Sequence, residues 1–252
     1  MQDYKTLEYG ESGKLAVLKL NRPLKLNALN EQLIDELTEL FVYLTNRDEV
    51  VLLQLSGKGN AFCAGADIEW LNRLKDQSVE IIEQAFLKIA DMLQQMYSLP
   101  QTIVAMAHGS VYGGGLGLLA CSDFVLSAPD TKYSFSEINL GLIPATISPY
   151  VIRKIGTNNA KELFYSGERF QEEKALEIGL IDQVVAGKLN FETLIKNLLK
   201  KPQSALKATK QLFRNHFDDS FLPGIQKKNS RLIAELIKTK ETQELLNKFL
   251  KR

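Results

Sequence analysis

Apolar and polar positions along this chain change period several times, and each change marks an element. Leu15–Leu20 (L-A-V-L-K-L) is apolar enough for a strand, which Asn21-Arg22-Pro23 ends because proline cannot donate to a ladder. Leu33, Ile34, Leu37, Leu40, Phe41 and Leu44 then recur at helical spacing within residues 29–45. Residues 50–55 (V-V-L-L-Q-L) read as a second buried strand, ended by Ser56-Gly57-Lys58-Gly59, so the first half is expected to run β-β-α-β. Residues 79–96 carry one apolar face of a long helix limited by Pro100, with Phe86 and Met96 expected in the core. Short strands are expected at 103–107, 124–127 and 133–135, the last two around the Pro129-Asp130 turn. A helix is expected to start at Ile143-Pro144, to break at Ser148-Pro149 and to resume over 150–155, with Gly156 and Gly167 separating helical pieces and a strand returning at Val184-Val185. From Leu189 onward the chain reads as helical and basic, punctuated by Pro202 and Pro223. Its stripes at Leu232, Ile233, Leu236 and Ile237 and at Leu245, Leu246, Phe249 and Leu250 should pack on the chain's own core or on a partner subunit.

Chemistry concentrates in three places. Gly113-Gly114-Gly115 opens an apolar run, 116–121, that can start a buried helix; without Cβ atoms the backbone lets a substrate approach N–H groups at a positive helix end. The spacing fits neither a dinucleotide fingerprint nor a phosphate-binding loop closed by Lys-Ser or Lys-Thr. Ala64-Gly65-Ala66 leads into another helix and would expose a second backbone N–H, while Asp67 reads as that helix's cap. Glu137 sits among Phe135, Ile138, Leu140 and Leu142, where a carboxylate would be partly desolvated, raised in pKa and able to exchange protons. His108, at a strand-to-loop turn, reads as structural.

Composition narrows the rest. The chain has 252 residues, 45% hydrophobic and 24% charged, enough for a sizeable core. Its formal net charge of +1 offers no long-range field for nucleic acid or an anionic membrane, so a ligand must be chosen locally. The N-terminal residues lack an apolar signal region and no run reaches a membrane span, so a cytoplasmic location is expected. Cys63 and Cys121 read as buried thiols, and with His108 and His216 the only histidines, no metal site is expected.

Five ordered motifs, N-R-P-L-K-L-N-A-L (21–29), F-C-A-G-A-D-I (62–68), G-G-G-L-G-L-L-A-C-S-D (113–123), S-E-I-N-L-G-L-I-P (136–144) and A-L-E-I-G-L-I-D (175–182), resemble the crotonase, or enoyl-CoA hydratase/isomerase, superfamily. The stretch P-A-T-I-S-P-Y (144–150) resembles bacterial 3-methylglutaconyl-CoA hydratases most closely. The resemblance implies an α/β fold, a crotonase-like spiral of β-β-α repeats over 1–195, and a C-terminal helical region over 196–252 that builds homotrimers, commonly stacked as hexamers. It implies an acyl-CoA substrate and no cofactor beyond the CoA that the substrate carries. Carried over to this sequence, Ala66 and Gly114 supply two N–H donors to the thioester oxygen and Glu137 is the acid/base. Lys25, Ala64, Ala66, Ile68 and Phe249 are the expected CoA contacts, Phe249 reaching a neighbour's CoA. The two-glutamate hydratases carry another acid where this chain has Gly117. The resemblance therefore points to hydration of a branched or carboxylated enoyl thioester by one carboxylate, with double-bond isomerisation, glutaconyl-thioester decarboxylation or a non-catalytic binding role as alternatives. It leaves open whether CoA or a carrier-protein arm bears the acyl group. A carboxylated substrate would need a cation, for which Arg73, Lys75 and Arg153 are the candidates by proximity to the motifs.

Overall fold

A computed structural model describes residues 4–185, 188–215 and 222–251; His216 lies outside the described residues. β1 (Leu7–Ser12) and β2 (Leu15–Leu20) form an antiparallel hairpin, and β3 (Leu52–Gly57), β4 (Thr102–Ala107), β6 (Phe124–Ser127) and β8 (Gln183–Val184) continue the sheet in parallel, in the order β1-β2-β3-β4-β6-β8. Alternation of side chains divides the central strands between two cores. Leu53, Leu55, Ile103, Ala105 and Val125 face the large one, whereas Leu52, Val104 and Leu126 face a smaller one covered by Phe191 and Ile195. Burial on both faces is why these strands read as continuous apolar runs.

Helices α1 (Glu31–Thr45) and α3 (Val79–Ser98) pack against each other over the large core. Their starts are fixed by side-chain caps, Asn30 accepting from the Leu33 N–H and Ser78 from the Ile81 N–H. Helix α1 begins later than its apolar pattern because Leu29 is held in a bridge to Ala66. Between β4 and β6 the chain forms β5 (Ser110–Tyr112) and α4 (Gly114–Ala120). After β6, β7 (Lys132–Ser134) pairs in parallel with β5 and runs into a short 3₁₀ turn, Ser136–Leu140.

Residues 143–147 are not helical. Pro144 disfavours helical geometry at Ile143, and Pro149 starts α5 (Ser148–Ser166) instead of breaking a helix, since a first-turn residue has no intrahelical N–H bond to lose. Gly156 kinks α5 at φ 78°, and Gly167 caps it in the left-handed region. Helix α6 (Glu172–Glu177) follows, then β8. Helices α7 (Lys188–Leu199), α8 (Gln203–Asn215), α9 (Leu222–Ile237) and α10 (Lys240–Leu250) complete the chain. Helix α9 packs along α3, and α10 packs on α2 (Ile68–Leu74) and on the 3₁₀ turn. Ile233, Ile237 and Leu246 are buried in this chain's own core. Among the described residues, no helix is long and apolar enough to cross a membrane.

The loop before α1 is pinned by Asn27, which is fully buried and left-handed at φ 55°. Its Nδ2 donates to the Lys58 and Ala61 carbonyls (2.9 and 2.7 Å), and its Oδ1 accepts from the Arg22 N–H at 2.8 Å. Asn27→Ala removes all three bonds and puts alanine in a conformation asparagine tolerates better. It should lower stability by about 3 kcal/mol or more in urea unfolding; a loss below about 1 kcal/mol would mean the loop is held by something else.

Candidate active site

Three short parallel segments meet side by side. Cys63 bridges Val111 and Val111 pairs with Tyr133, all in parallel, and the β5–β7 pairing runs one residue further, to Tyr112 and Ser134. That carries Ala66, Gly114 and Ser136 to one end of the array, the carboxyl end, where open parallel sheets usually bind ligands.

Two glycines permit the approach. A Cβ on Gly65 (φ +87°) would lie 3.0 Å from the Tyr112 carbonyl oxygen and 3.6 Å from Gly113 Cα, while one on Gly113 (φ +46°) would lie 3.7 Å from Gly65 Cα. The residues that follow, Ala66 and Gly114, both border one cavity of about 870 Å³. Neighbouring amides are committed: Leu29 N donates to Gly65 O at 2.7 Å, Asp67 N to Leu29 O at 2.8 Å and Gly113 N to Ser134 O at 3.1 Å. The N–H groups of Ala66 and Gly114 have no partner among the described residues. Gly114 is the first residue of α4, so its N–H is one of the donors a helix start leaves unpaired.

Glu137 comes from the 3₁₀ turn after β7. Its Oε1 lies 3.1 Å from where a Gly113 Cβ would be, so the acid rests against the same backbone crossing. Its Oε2 is buried and has no hydrogen-bond partner. Desolvation pushes the carboxyl up to about 7, partly offset by a backbone hydrogen bond within the residue itself. An acid and two unpaired donors thus share one pocket, and the acid titrates near neutrality.

Asp67 is the cap of α2, accepting from the Glu69 and Trp70 N–H groups and pairing with Arg22 at 2.9 Å. His108 Nε2 lies 3.2 Å from the Gly59 carbonyl, away from the cavity. Cys63 and Cys121 are buried free thiols, and burial pushes Cys63 up to about 12 and so favours its neutral form.

The cavity also receives Lys25, Ala64, Ile68 and Phe249. Lys25 pairs with Glu69 at 2.7 Å on the exposed rim, and the Ala64 N–H is spent on the Leu26 carbonyl at 3.0 Å. Phe249, half exposed, lines this chain's own cavity. Phe86, expected purely as core, is both core and cavity wall. None of the three cations suggested by sequence proximity borders the cavity. Arg73 edges a separate acidic depression with Glu31, Asp35, Glu36 and Glu39; Lys75 donates to Asn247; and the Arg153 guanidinium lies over Tyr97 at 5.0 Å. Arg169 takes their place. It is brought in by the antiparallel bridge between Tyr133 and Phe170, lies 5.7 Å over the Tyr112 ring and borders the cavity without an acidic partner among the described residues. Nothing in the sequence near Arg169 announces this, because the bridge that places it is long-range.

The family model described as enoyl-CoA hydratase/isomerase matches residues 10–252. A crotonyl-CoA hydratase of Syntrophomonas wolfei is 29% identical over 82% of this chain and 80% of its own length, and a hydroxycinnamoyl-CoA hydratase-lyase of Pseudomonas fluorescens is 30% identical over 84% and 79%. The solved structure of an enoyl-CoA hydratase/isomerase from Mycobacterium paratuberculosis superposes with a TM-score of 0.88 at 25% identity, covering 96% of this chain and 98% of that one.

Because the Glu137 pKa rises on folding, the folded protein holds a proton that the unfolded chain releases near 4.5. The stability this contributes is complete below pH 4.5 and is lost as pH rises toward 7. Glu137→Gln cannot ionise, so its stability relative to the parent should climb by about 3 kcal/mol between pH 4.5 and 7 and then level off. Urea unfolding at stepped pH measures this; a pH-independent difference would mean the carboxyl is not desolvated.

Proposed function

Since the chain belongs to the enoyl-CoA hydratase/isomerase family, we propose that it adds water across the 2,3 double bond of an enoyl thioester, with Glu137 as its one acid/base. The observation that carries this reading is the conjunction of two unpartnered amides, at Ala66 and Gly114, with a buried carboxyl against the same glycine crossing. The thioester oxygen accepts from both amides, which draws electrons from the double bond and leaves the β-carbon open to attack. Glu137 takes a proton from water as its oxygen bonds to that carbon, and the resulting enolate keeps its charge on the oxygen held by the two amides. The same carboxyl then returns the proton to the α-carbon, so atoms and charge balance and no cofactor takes part. An acid near pH 7 suits both transfers, and each preorganised donor is typically worth about 3 kcal/mol of barrier.

The polar rim with Lys25 and Glu69 would take the CoA arm, alongside Ala64 and Ile68, and the apolar interior the acyl group. A branched acyl chain suits walls such as Leu71, Phe86, Ile89 and Leu142. If that chain also carries a distal carboxylate, as a 3-methylglutaconyl group does, Arg169 is the cation positioned to meet it.

Incubation with crotonyl, 3-methylcrotonyl, 3-methylglutaconyl and 3-enoyl thioesters tests the reading. Conjugated absorbance should fall with appearance of a 3-hydroxyacyl product. Growth of absorbance from a 3-enoyl thioester without that product would replace hydration by isomerisation, and release of carbon dioxide would replace it by decarboxylation. Glu137→Gln should lower kcat by about 10²-fold or more while still binding a saturated thioester; unchanged turnover would remove the acid from the mechanism.

A further inference from the structure

Gly117 lies inside α4 with no side chain of its own, and the space over it is filled from elsewhere in the chain. A Cβ at Gly117 would lie 2.5 Å from Ile147 Cγ2, 3.2 Å from Ile147 Cβ and 3.4 Å from Leu93 Cδ1. Ile147 is 2% exposed and borders the cavity, from the turn that immediately precedes α5. Being β-branched, it has few rotamers. Glycine is ordinarily a poor choice inside a helix. Here its bare backbone serves as the seat for a branched side chain that forms cavity wall.

We propose that Ile147 is the specificity-determining residue of the acyl end of this cavity, a role that rests on the thioester reading above. Seated on Gly117, it limits how far an acyl chain can extend, and no side chain at 117 can share the space. Shortening Ile147 deepens the compartment, and adding a Cβ at 117 displaces Ile147.

Two measurements test this. Calorimetric titration of butyryl-CoA and octanoyl-CoA, saturated thioesters that undergo no hydration, into the parent and into Ile147→Ala should show the octanoyl-to-butyryl affinity ratio rising about tenfold or more in the variant. A ratio within about twofold of the parent's would overturn the role of Ile147 and leave the thioester reading standing. Failure of the parent to bind either thioester would overturn the reading and the role together. Ile147→Val, which keeps Cγ2 over Gly117, should shift the ratio less in the same direction and serves if the alanine variant does not fold. Independently of any ligand, Gly117→Ala should lower Tm by about 3 °C or more in the parent, although alanine is the better helix former. In the Ile147→Ala background, where the 2.5 Å contact with Cγ2 is gone and the 3.2 Å contact with Cβ remains, the same change should cost clearly less. A rise in Tm for Gly117→Ala alone would show that Ile147 is not seated there and would overturn the proposal.

Discussion

Two backbones pass each other at Gly65 and Gly113 more closely than side chains would allow, and the site depends on that crossing. A Cβ on Gly65 would press on the Tyr112 carbonyl and one on Gly113 on the Glu137 carboxyl, and both residues have positive φ, so alanine at these positions would meet steric and torsional strain together. Because the segments are parallel and in register from Cys63 and Val111, the residues just beyond the crossing are brought together as a pair. Hydrogen bonding then makes that pair distinctive. The Asp67 and Gly113 amides beside them have protein acceptors, whereas those of Ala66 and Gly114, both at the cavity, have none among the described residues. Two N–H groups that border a cavity without a protein acceptor are free to bond an oxygen that enters it.

Glu137 is costly to bury. Its carboxyl is held against the glycine crossing with Oε2 buried and unbonded, and the folded protein carries the desolvation of that acid as reduced stability above neutral pH. Of its apolar sequence neighbours, Phe135 is fully buried and Leu142 nearly so, whereas Ile138 is exposed. Two amides for a developing negative charge and one acid poised between its protonation states are complementary parts. In the proposed hydration the amides would lower the acidity barrier at carbon, and the acid would move the proton that this makes available.

Local patterns carried much of this into the sequence. Strand patterning placed the parallel core within a residue or two, because those strands are buried on both faces, and helical spacing placed α1 and α3 because each buries one face. The capping role of Asp67 was visible in its position before an apolar run, and the desolvation of Glu137 in its neighbours. What failed was local in another sense. Ile143-Pro144 suggests a helix start and Pro149 a break, whereas Pro149 occupies the first turn of α5 and the preceding residues form the loop that delivers Ile147. The cations were chosen by sequence distance from the motifs, but Arg153 faces Tyr97 and Arg73 faces an acidic surface. Arg169 reaches the cavity only through a bridge to Tyr133, and the contact between Gly117 and Ile147 joins residues thirty apart. Neither is encoded in any short stretch.

The C-terminal helices bear on the same question of what closes the site. Sequence alone left their apolar stripes free to meet a partner or the chain itself. Here the deepest positions are turned inward, Ile237 and Leu246 fully buried, and Ile233 lines the cavity. Polar contacts fix the docking: Thr242 Oγ1 donates to the Gly141 carbonyl at 2.9 Å, at the end of the turn that carries Glu137, and Lys238 donates to the carbonyls of Lys75 and Gln77 at the end of α2. A Cβ on Gly141 would lie 2.5 Å from that Thr242 hydroxyl, so the turn and α10 are fitted as closely as the glycine crossing itself. Phe249 and Leu250, by contrast, remain half exposed at the cavity rim. The helical end of the chain therefore does two physically separate things: its buried face braces the turn that aims the acid, and its last turn leaves an apolar edge where the cavity opens to solvent.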